Sequence, residues 1–260
     1  VAVSTSMEKK KEVSRVLHIA EEKAGLCAAV GEFVAQTSAQ AIKDSGRFTV
    51  AFSGGSLPAI VASGILGGKQ TVDFSKWIVF FADERCVDLE HKDSNFKAVR
   101  TLLLDHCQGI KPENVVTLDA KLADQPAMAA EAYELAMRSV WKSEKMPIFD
   151  LVLLGMGEDG HTCSLFPGHP LASYTGDKWV ESITDSPKPP PNRITLTMPV
   201  LHNAKRCAFV AAGTGKQDVL FDIFCKNNSK NLPAGNVKAS DGAAVWFVDA
   251  AAAAKLNSSE

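Results

Sequence analysis

Short, almost uninterrupted apolar runs that end abruptly in glycines or charged residues constrain the fold of this chain most. Such runs lie at residues 47–52, 77–82, 149–154 and 207–212. Strands covered on both faces have this pattern, as in parallel sheets. Stretches with helical spacing separate the runs, and this alternation is typical of α/β proteins. The sequence therefore predicts a three-layer α/β fold, with a Rossmann-like, mostly parallel sheet and helices on both faces.

Helices are predicted where apolar residues recur at helical spacing. The segments with this spacing are residues 16–45, 93–104 and 124–142. Asp93 or Ser94 is a suitable N-cap for the second helix. Pro58 fits the first turn of a further helix, because proline is tolerated where the backbone N–H has no helical partner.

Three shorter apolar runs predict additional strands. They are residues 115–118, 193–198 and 244–248. The proline-rich segment 184–192 is predicted to be a stiff surface loop between two strands of one sheet, in preference to a linker between domains.

One folded unit is expected to account for most of the 260 residues. Domains average about 150 residues, but α/β folds often use about 250 as one unit. We expect a single α/β domain over residues 15–260, preceded by a flexible leader over 1–14. The leader begins with small Ser- and Thr-containing residues, which are also found in transit peptides. The cytoplasm is the default expectation for the location, and the leader makes a plastid the alternative.

The charge balance and cysteine spacing exclude several classes of partner. Lys plus Arg total 28 against 30 Asp plus Glu, a net charge of −2, so no bulk field attracts nucleic acid or anionic lipid. No apolar run reaches the roughly 18 residues of a transmembrane helix. The six cysteines have no C-x-x-C spacing, which favours buried free thiols in a reducing compartment. We expect a small-molecule ligand, with neither metal nor cofactor, and no nucleic-acid or membrane partner.

The first candidate binding site is the turn that follows the run at 47–52. Gly54 and Gly55 allow consecutive backbone N–H groups to converge, and the next helix adds its positive end. With the Ser56 hydroxyl they would form a small anion cradle. A tight turn in which Ser56 caps the helix is an equally good interpretation of these residues alone.

Charged residues follow other apolar runs. Asp83-Glu84-Arg85 comes directly after one run, and three charges there would be costly if buried without partners. A solvated turn is the alternative. Arg193 opens the strand after the prolines, and Lys216 follows the run at 207–212. Cations near a glycine-rich cradle suit a doubly charged phosphate.

The segment 155–167 follows the clearest strand and contains G-x-G-x-x-G. A dinucleotide site is disfavoured, because the motif begins deep in the chain and no strand carries an acid about 20 residues on. Its glycines, Gly157 among them, would instead bend the chain to bring Asp159 and His161 to the sheet edge. Histidine moves protons near neutral pH, and a carboxylate two residues away can orient it. A structural histidine in a capped loop is the alternative.

Taken together, these segments resemble the 6-phosphogluconolactonases, and the similarity runs from about residue 47 to 252. The segments that carry it are 53–56, 83–85, 155–167, 186–190, 193–197 and 245–252. The D-G-H-T-x-S-L-F-P block within 155–167 is highly specific, whereas the S-G-G-S turn alone is weak.

The resemblance implies a fold shared with the glucosamine-6-phosphate deaminases. It also implies hydrolysis of 6-phospho-D-glucono-1,5-lactone to 6-phosphogluconate in the pentose phosphate pathway, without a metal. On this hypothesis His161 activates water and Asp159 supports it. The substrate would be held by Gly54, Gly55, Ser56, Asp83, Arg85, Gly157, Arg193 and Lys216. A monomer is expected.

Two other functions stay open at this stage. The deaminases carry a similar D-G-H block but have a glutamate where this chain has Phe166. A phenyl ring cannot orient an imidazole or exchange protons with it, which disfavours deamination. A non-catalytic sugar-phosphate sensor would need the cradle and the cations, but not Asp159 and His161.

Overall fold

The computed structural model describes residues 14–256. The predicted leader lies outside these residues except for Ser14. The strands are β1 Arg15–Ala20, β2 Phe48–Phe52, β3 Trp77–Phe81, β4 Asp83–Arg85, β5 Leu151–Leu154, β6 Val180–Ile183, β7 Arg193–Leu196, β8 Cys207–Ala211 and β9 Ala244–Asp249. The helices are α1 Lys23–Ser45, α2 Leu57–Leu66, α3 Asn95–Leu102, α4 Pro126–Trp141, α5 Met198–Asn203, α6 Gln217–Cys225, α7 Pro233–Asn236 and α8 Ala250–Ala253.

Six strands form one sheet in the order β1-β9-β8-β5-β2-β3, and every neighbouring pair in it is parallel. Successive side chains of a strand enter different cores. Leu151 and Leu153 pack in a cluster with α1 and α2, whereas Val152 and Leu154 pack on the other face with α4 and α6. This two-sided burial explains the uninterrupted apolar runs. The predicted three-layer α/β fold is confirmed.

A second, three-stranded antiparallel sheet has the order β4-β7-β6. The proline-rich loop 184–192 joins β6 to β7, so the prediction that its two flanks belong to one sheet is confirmed. Strand β4 was not predicted, and β6 was expected only as the strand before the loop, without bounds, because each is short and rich in polar residues. A single residue, Ala82, separates the end of β3 from the start of β4, and there the chain crosses from the large sheet to the small one.

Two secondary-structure predictions are wrong. Residues 16–20 are not helical, because this segment pairs with β9 as the edge strand β1, and α1 begins only at Lys23. Residues 115–118 form no strand beyond a single bridge between Val115 and Val79. Val116 and Leu118 bury their side chains in a core without a ladder, so an apolar run alone was misleading here.

Other local predictions are confirmed at helix starts. Ser94 caps α3 by accepting a hydrogen bond from the Lys97 N–H at 3.2 Å, and Pro58 lies in the first turn of α2. No disulfide forms among the six cysteines, all of which lie within residues 14–256, but Cys225 is exposed and departs from the expected burial. None of the helices described over residues 14–256 is both long and apolar enough to cross a bilayer.

Candidate active site

A cleft of about 640 Å³ opens at the carboxyl edge of the large sheet. The loops after three adjacent strands, β2, β5 and β8, contribute to its wall, as expected for ligand sites of open α/β sheets. The small sheet supplies the remaining charged residues. The predicted site residues that line the cleft are Gly54, Gly55, Ser56, Asp83, Arg85, Gly157, His161, Arg193 and Lys216.

The turn after β2 has the geometry of a cradle. Gly55 has a φ of 71°, which favours glycine. A Cβ on Gly54 would lie 1.9 Å from the Oδ1 of Asn95, so no side chain fits there. Ser56 occupies the N-cap position of α2 but its side chain makes no capping hydrogen bond. The Ser56 hydroxyl is exposed and available to a ligand, which favours the cradle over the simple capped turn.

Two arginines lie opposite each other on neighbouring strands of the small sheet. Arg85 of β4 and Arg193 of β7 are directly paired in the antiparallel register. Like charges in this arrangement repel each other. The Arg85 Nε is buried and has no hydrogen-bond partner, and Arg193 is 3% exposed. Burial and the charge of Arg85 lower the pKa of Arg193, while Asp83 opposes this shift. An anionic ligand would offset the repulsion between these two guanidinium groups.

Arg193 also supports the proline-rich loop. Its Nη2 donates to the carbonyl of Lys188 at 2.7 Å, and its Nε donates to the carbonyl of Pro190 at 3.0 Å. The Pro189–Pro190 peptide bond is cis. Arg193 therefore supports the loop in addition to its predicted role in binding a ligand. The sequence did not indicate this structural role.

Asp83 is 5% exposed and lies between β4, α3 and the loop after β5. Its Oδ2 accepts a hydrogen bond from the Ser164 hydroxyl at 2.9 Å. The Asn95 amide donates to the Asp83 carbonyl at 2.8 Å. The Ser164 hydroxyl therefore holds the Asp83 carboxylate, while Asn95 holds the Asp83 backbone.

The loop after β5 brings Asp159 and His161 together. The His161 Nδ1 lies 2.5 Å from the Asp159 Oδ1, which also accepts the His161 backbone N–H at 3.3 Å. A hydrogen bond at Nδ1 assigns the proton to that nitrogen and leaves the Nε2 lone pair available. Asp159 does not line the cleft itself, and so contacts the ligand region only through His161.

The charge states of this pair follow from burial and from each other. Burial lowers the pKa of His161, and the negative charge of Asp159 only partly opposes that shift. Burial would raise the pKa of Asp159, but its hydrogen bond to His161, with the charges of His161 and Lys188, holds that pKa below its usual value. Near neutral pH the pair therefore consists of a neutral imidazole and an ionised carboxylate.

Gly157 is required by this pair. A Cβ there would lie 2.0 Å from the His161 Nδ1 and 2.4 Å from the Asp159 Oδ1. The Gly157 N–H donates to the His161 carbonyl at 2.9 Å, which closes the loop. The glycine predicted as a binding residue therefore makes room for the histidine.

Two lysines add to the charges at the cleft, Lys216 in its lining and Lys188 beside Asp159. Lys188 of the proline-rich loop places its Nζ 3.5 Å from the second carboxylate oxygen of Asp159. Burial lowers the pKa of Lys216, while Glu158 opposes the shift. The cleft lining therefore combines three basic side chains, Arg85, Arg193 and Lys216, with a histidine that is neutral near pH 7, and Lys188 lies beside it at Asp159.

The Phe166 ring packs on the imidazole of His161. The rings of His161 and Phe166 are 4.6 Å apart, and the Arg193 guanidinium lies 5.7 Å from the Phe166 ring centre. Cys163 also lines the cleft, but burial raises the pKa of its thiol well above the usual value. A thiol that stays protonated is a poor nucleophile, which leaves His161 as the reactive group of this loop.

Three contributors were not predicted as site residues: Asn95, Ser164 and Lys188. Ser164 and Lys188 lie in segments that were singled out from the sequence. Their closeness in sequence to His161 and Arg193 could have indicated them as site residues. The sequence carries no signal for Asn95, because its role depends on how α3 docks on the turn after β2.

Within residues 14–256 no group of three or more His, Cys, Asp or Glu side chains is arranged to hold a metal ion.

The fold and the cleft define an α/β protein with a cleft lined by basic side chains at the carboxyl edge of a parallel sheet. A family model described as glucosamine-6-phosphate isomerases/6-phosphogluconolactonase matches residues 21–246. The chain belongs to this family.

Within this family, the similar proteins described next are named 6-phosphogluconolactonases. The chain is 42% identical over 236 residues to the 6-phosphogluconolactonase of Rattus norvegicus, covering 89% of this chain and 90% of the relative. It is 38% identical over 258 residues to the chloroplastic 6-phosphogluconolactonase 3 of Arabidopsis thaliana, covering 95% and 77%. The crystal structure of 6-phosphogluconolactonase from Thermotoga maritima superimposes with a TM-score of 0.77 at 28% identity, covering 90% of this chain and 99% of that one.

Proposed function

We propose that this chain hydrolyses 6-phospho-D-glucono-1,5-lactone to 6-phosphogluconate in the oxidative pentose phosphate pathway. The relatives named above carry this activity in their names. The observation that carries the proposal is the neutral His161, oriented by Asp159, in a cleft that also holds Arg85, Arg193 and Lys216. A base and an anion site in one cleft match a substrate with a reactive ester and a remote phosphate.

In the proposed mechanism His161 Nε2 accepts a proton from water while the water oxygen attacks the lactone carbonyl carbon. Asp159 holds the Nδ1 proton and stabilises the imidazolium that forms. The tetrahedral intermediate then collapses, the bond between the carbonyl carbon and the ring oxygen breaks, and the imidazolium returns its proton to that oxygen. The products are a carboxylic acid, which ionises, and the C5 hydroxyl.

Donors around the cleft are suited to the two negative charges of the reaction. Backbone N–H groups of the loop after β5, other than that of Gly157, which donates to the His161 carbonyl, would stabilise the developing oxyanion. One such donor is typically worth about 3 kcal/mol. The cradle at Gly54, Gly55 and Ser56, with the cations Arg85, Arg193 and Lys216, would hold the phosphate. Binding at this remote group fixes the carbonyl beside the water, which is a positioning effect.

Deamination is the less favoured function on structural grounds. It would need a further proton-transfer group at the imidazole, and the residue that packs on His161 is Phe166. A direct assay separates the three hypotheses. Purified protein receives fresh lactone or, separately, glucosamine 6-phosphate, without added metal. Lactone hydrolysis above the spontaneous rate supports the proposal, deamination alone contradicts it, and turnover of neither substrate with retained sugar-phosphate binding identifies a sensor.

We further propose a single domain over residues 15–260 that acts as a monomer in the cytoplasm or in a plastid. The site supports one domain, because its residues extend from 54 to 216 and come from one chain. The chloroplastic name of one relative keeps the plastid as the alternative. Light scattering after size-exclusion chromatography tests the monomer, and a fluorescent fusion of the full-length protein tests the location.

A further inference from the structure

Glu84 is the middle residue of the charged triplet in β4, and the mechanism does not use it. Its side chain is 1% exposed and does not line the cleft, whereas Asp83 and Arg85 on either side of it do. Side chains alternate along a strand, so a carboxylate that points inward forces both neighbours toward the cleft.

The Glu84 carboxylate is held by four donors. Its Oε1 accepts the backbone N–H groups of Asn95 at 2.8 Å and Arg85 at 2.7 Å. Its Oε2 accepts the N–H of Phe96 at 2.7 Å and the Ser94 hydroxyl at 3.3 Å. The first N–H groups of a helix have no helical partners, so Glu84 satisfies donors of α3 while it joins that helix to β4.

The junction reaches the anion cradle directly. Asn95, whose N–H binds Glu84, also donates its side-chain amide to the Asp83 carbonyl and fills the space beside Gly54. One contact network therefore runs from Glu84 through Asn95 to both the cradle and β4. Among the described residues Glu84 forms no ion pair, so charge neutralisation by a basic side chain does not explain its burial.

We propose that Glu84 is a positioning residue for the anion subsite, which fixes β4 on the start of α3 so that Arg85 faces the cleft. This inference rests on the proposed function, because Arg85 is taken to bind the substrate's anionic groups. The carboxylate, and not merely an isosteric side chain, is required, because glutamine offers one acceptor oxygen and turns an NH₂ group toward N–H donors.

The ionisation of Glu84 supports a measurable pH signature. Burial raises its pKa to about 7, although the N–H groups of Asn95, Phe96 and Arg85 oppose the shift. The titratable groups that face it are Asp83, the Cys86 thiol and the Tyr133 hydroxyl, and burial keeps the last two protonated. As the pH falls through about 7 the carboxylate becomes neutral, its hydrogen bonds weaken, and anion binding should weaken with them.

The test compares Glu84→Gln with Asp150→Asn. Asp150 is also buried and accepts a backbone N–H, that of Thr49 at 2.8 Å, but it precedes β5 at the opposite edge of the sheet. We expect Glu84→Gln to raise KM for the phosphorylated lactone roughly tenfold, with kcat within about threefold and a much smaller effect on unphosphorylated gluconolactone. Asp150→Asn should lower stability without this selective change.

Binding of 6-phosphogluconate by calorimetry keeps the inference separate from the proposed function, since it needs no turnover. Between pH 8 and pH 6 the wild-type affinity should fall more steeply than that of Glu84→Gln. Parallel slopes, or equal losses on both lactones, would overturn the role of Glu84. If Glu84→Gln does not fold, Glu84→Asp, which keeps the charge but withdraws it by one carbon, should show a smaller selective rise in KM, and an unchanged KM overturns the proposal. A wild-type protein that binds 6-phosphogluconate but hydrolyses no lactone contradicts only the proposed function.

Discussion

Replacing Asp159 by asparagine tests how the carboxylate acts on His161. The change keeps the shape of the side chain but removes a charge 2.5 Å from the imidazole Nδ1. A hydrogen bond to a charged group contributes about 1.5–3 kcal/mol, and about 1.36 kcal/mol corresponds to tenfold in rate. We therefore expect kcat to fall roughly 10- to 150-fold, because the imidazolium formed during attack loses its counter-charge.

The pH profile of the same variant gives an independent sign. In the proposed mechanism neutral His161 is the active form, so kcat/KM should fall as the pH drops through its pKa. Asp159 raises that pKa against the larger effect of burial, so Asp159→Asn should move the acid limb to lower pH. Lys188→Met is the matched control, because Lys188 lowers the His161 pKa and its removal should move the limb slightly upward.

Stopped assays of lactone loss from pH 5 to 8, corrected for spontaneous hydrolysis, supply both numbers. Asp159→Asn should therefore show a lower activity plateau than the wild type, and this plateau should extend to more acidic pH. A plateau equal to that of the wild type, with an unmoved acid limb, would refute the assigned role of Asp159. A lower plateau with an acid limb at higher pH would contradict the electrostatic account.

Three further variants address the rest of the site. His161→Ala should reduce kcat at least about 100-fold with 6-phosphogluconate binding largely kept, and near-normal turnover would remove His161 from the mechanism. Arg85→Met should raise KM for the phosphorylated lactone far more than for gluconolactone, since its buried Nε has no protein partner; equal changes would argue against anion binding. Gly157→Ala should lose activity as severely as His161→Ala while circular dichroism stays near normal, because its Cβ would occupy the space of the imidazole; a fully active variant would show that the loop adapts.

The large sheet was predictable because its strands are covered on both faces. Residues 149–154 contain no polar side chain apart from Asp150, and this pattern alone indicated a buried parallel strand. The small sheet was not predictable in the same way. Strands β4 and β6 carry charged or hydroxyl side chains, and their pairing with β7 depends on tertiary contacts that leave no local pattern.

The candidate site was partly readable for a related reason. Its loops follow the apolar runs directly, so the ends of the strands marked Gly54, Asp83 and His161 as neighbours. The sequence could not show that Arg193 supports a loop or that Asn95 fills the space beside Gly54, because both depend on side chains far apart in the chain. The β1 segment shows the opposite failure, since its helical spacing was overridden by pairing with β9.

The proline-rich loop has a consequence for how this enzyme can change over evolution or in the laboratory. Its residue Lys188 accepts a hydrogen bond from Arg193 through its carbonyl and pairs with Asp159 through its ammonium group. On the proposed roles, the arginine that binds the phosphate and the carboxylate that supports the catalytic base therefore depend on the same loop. Replacing Arg193 to select for a lactone without phosphate would then also loosen Lys188, the counter-charge of Asp159, so substrate range and turnover would change together.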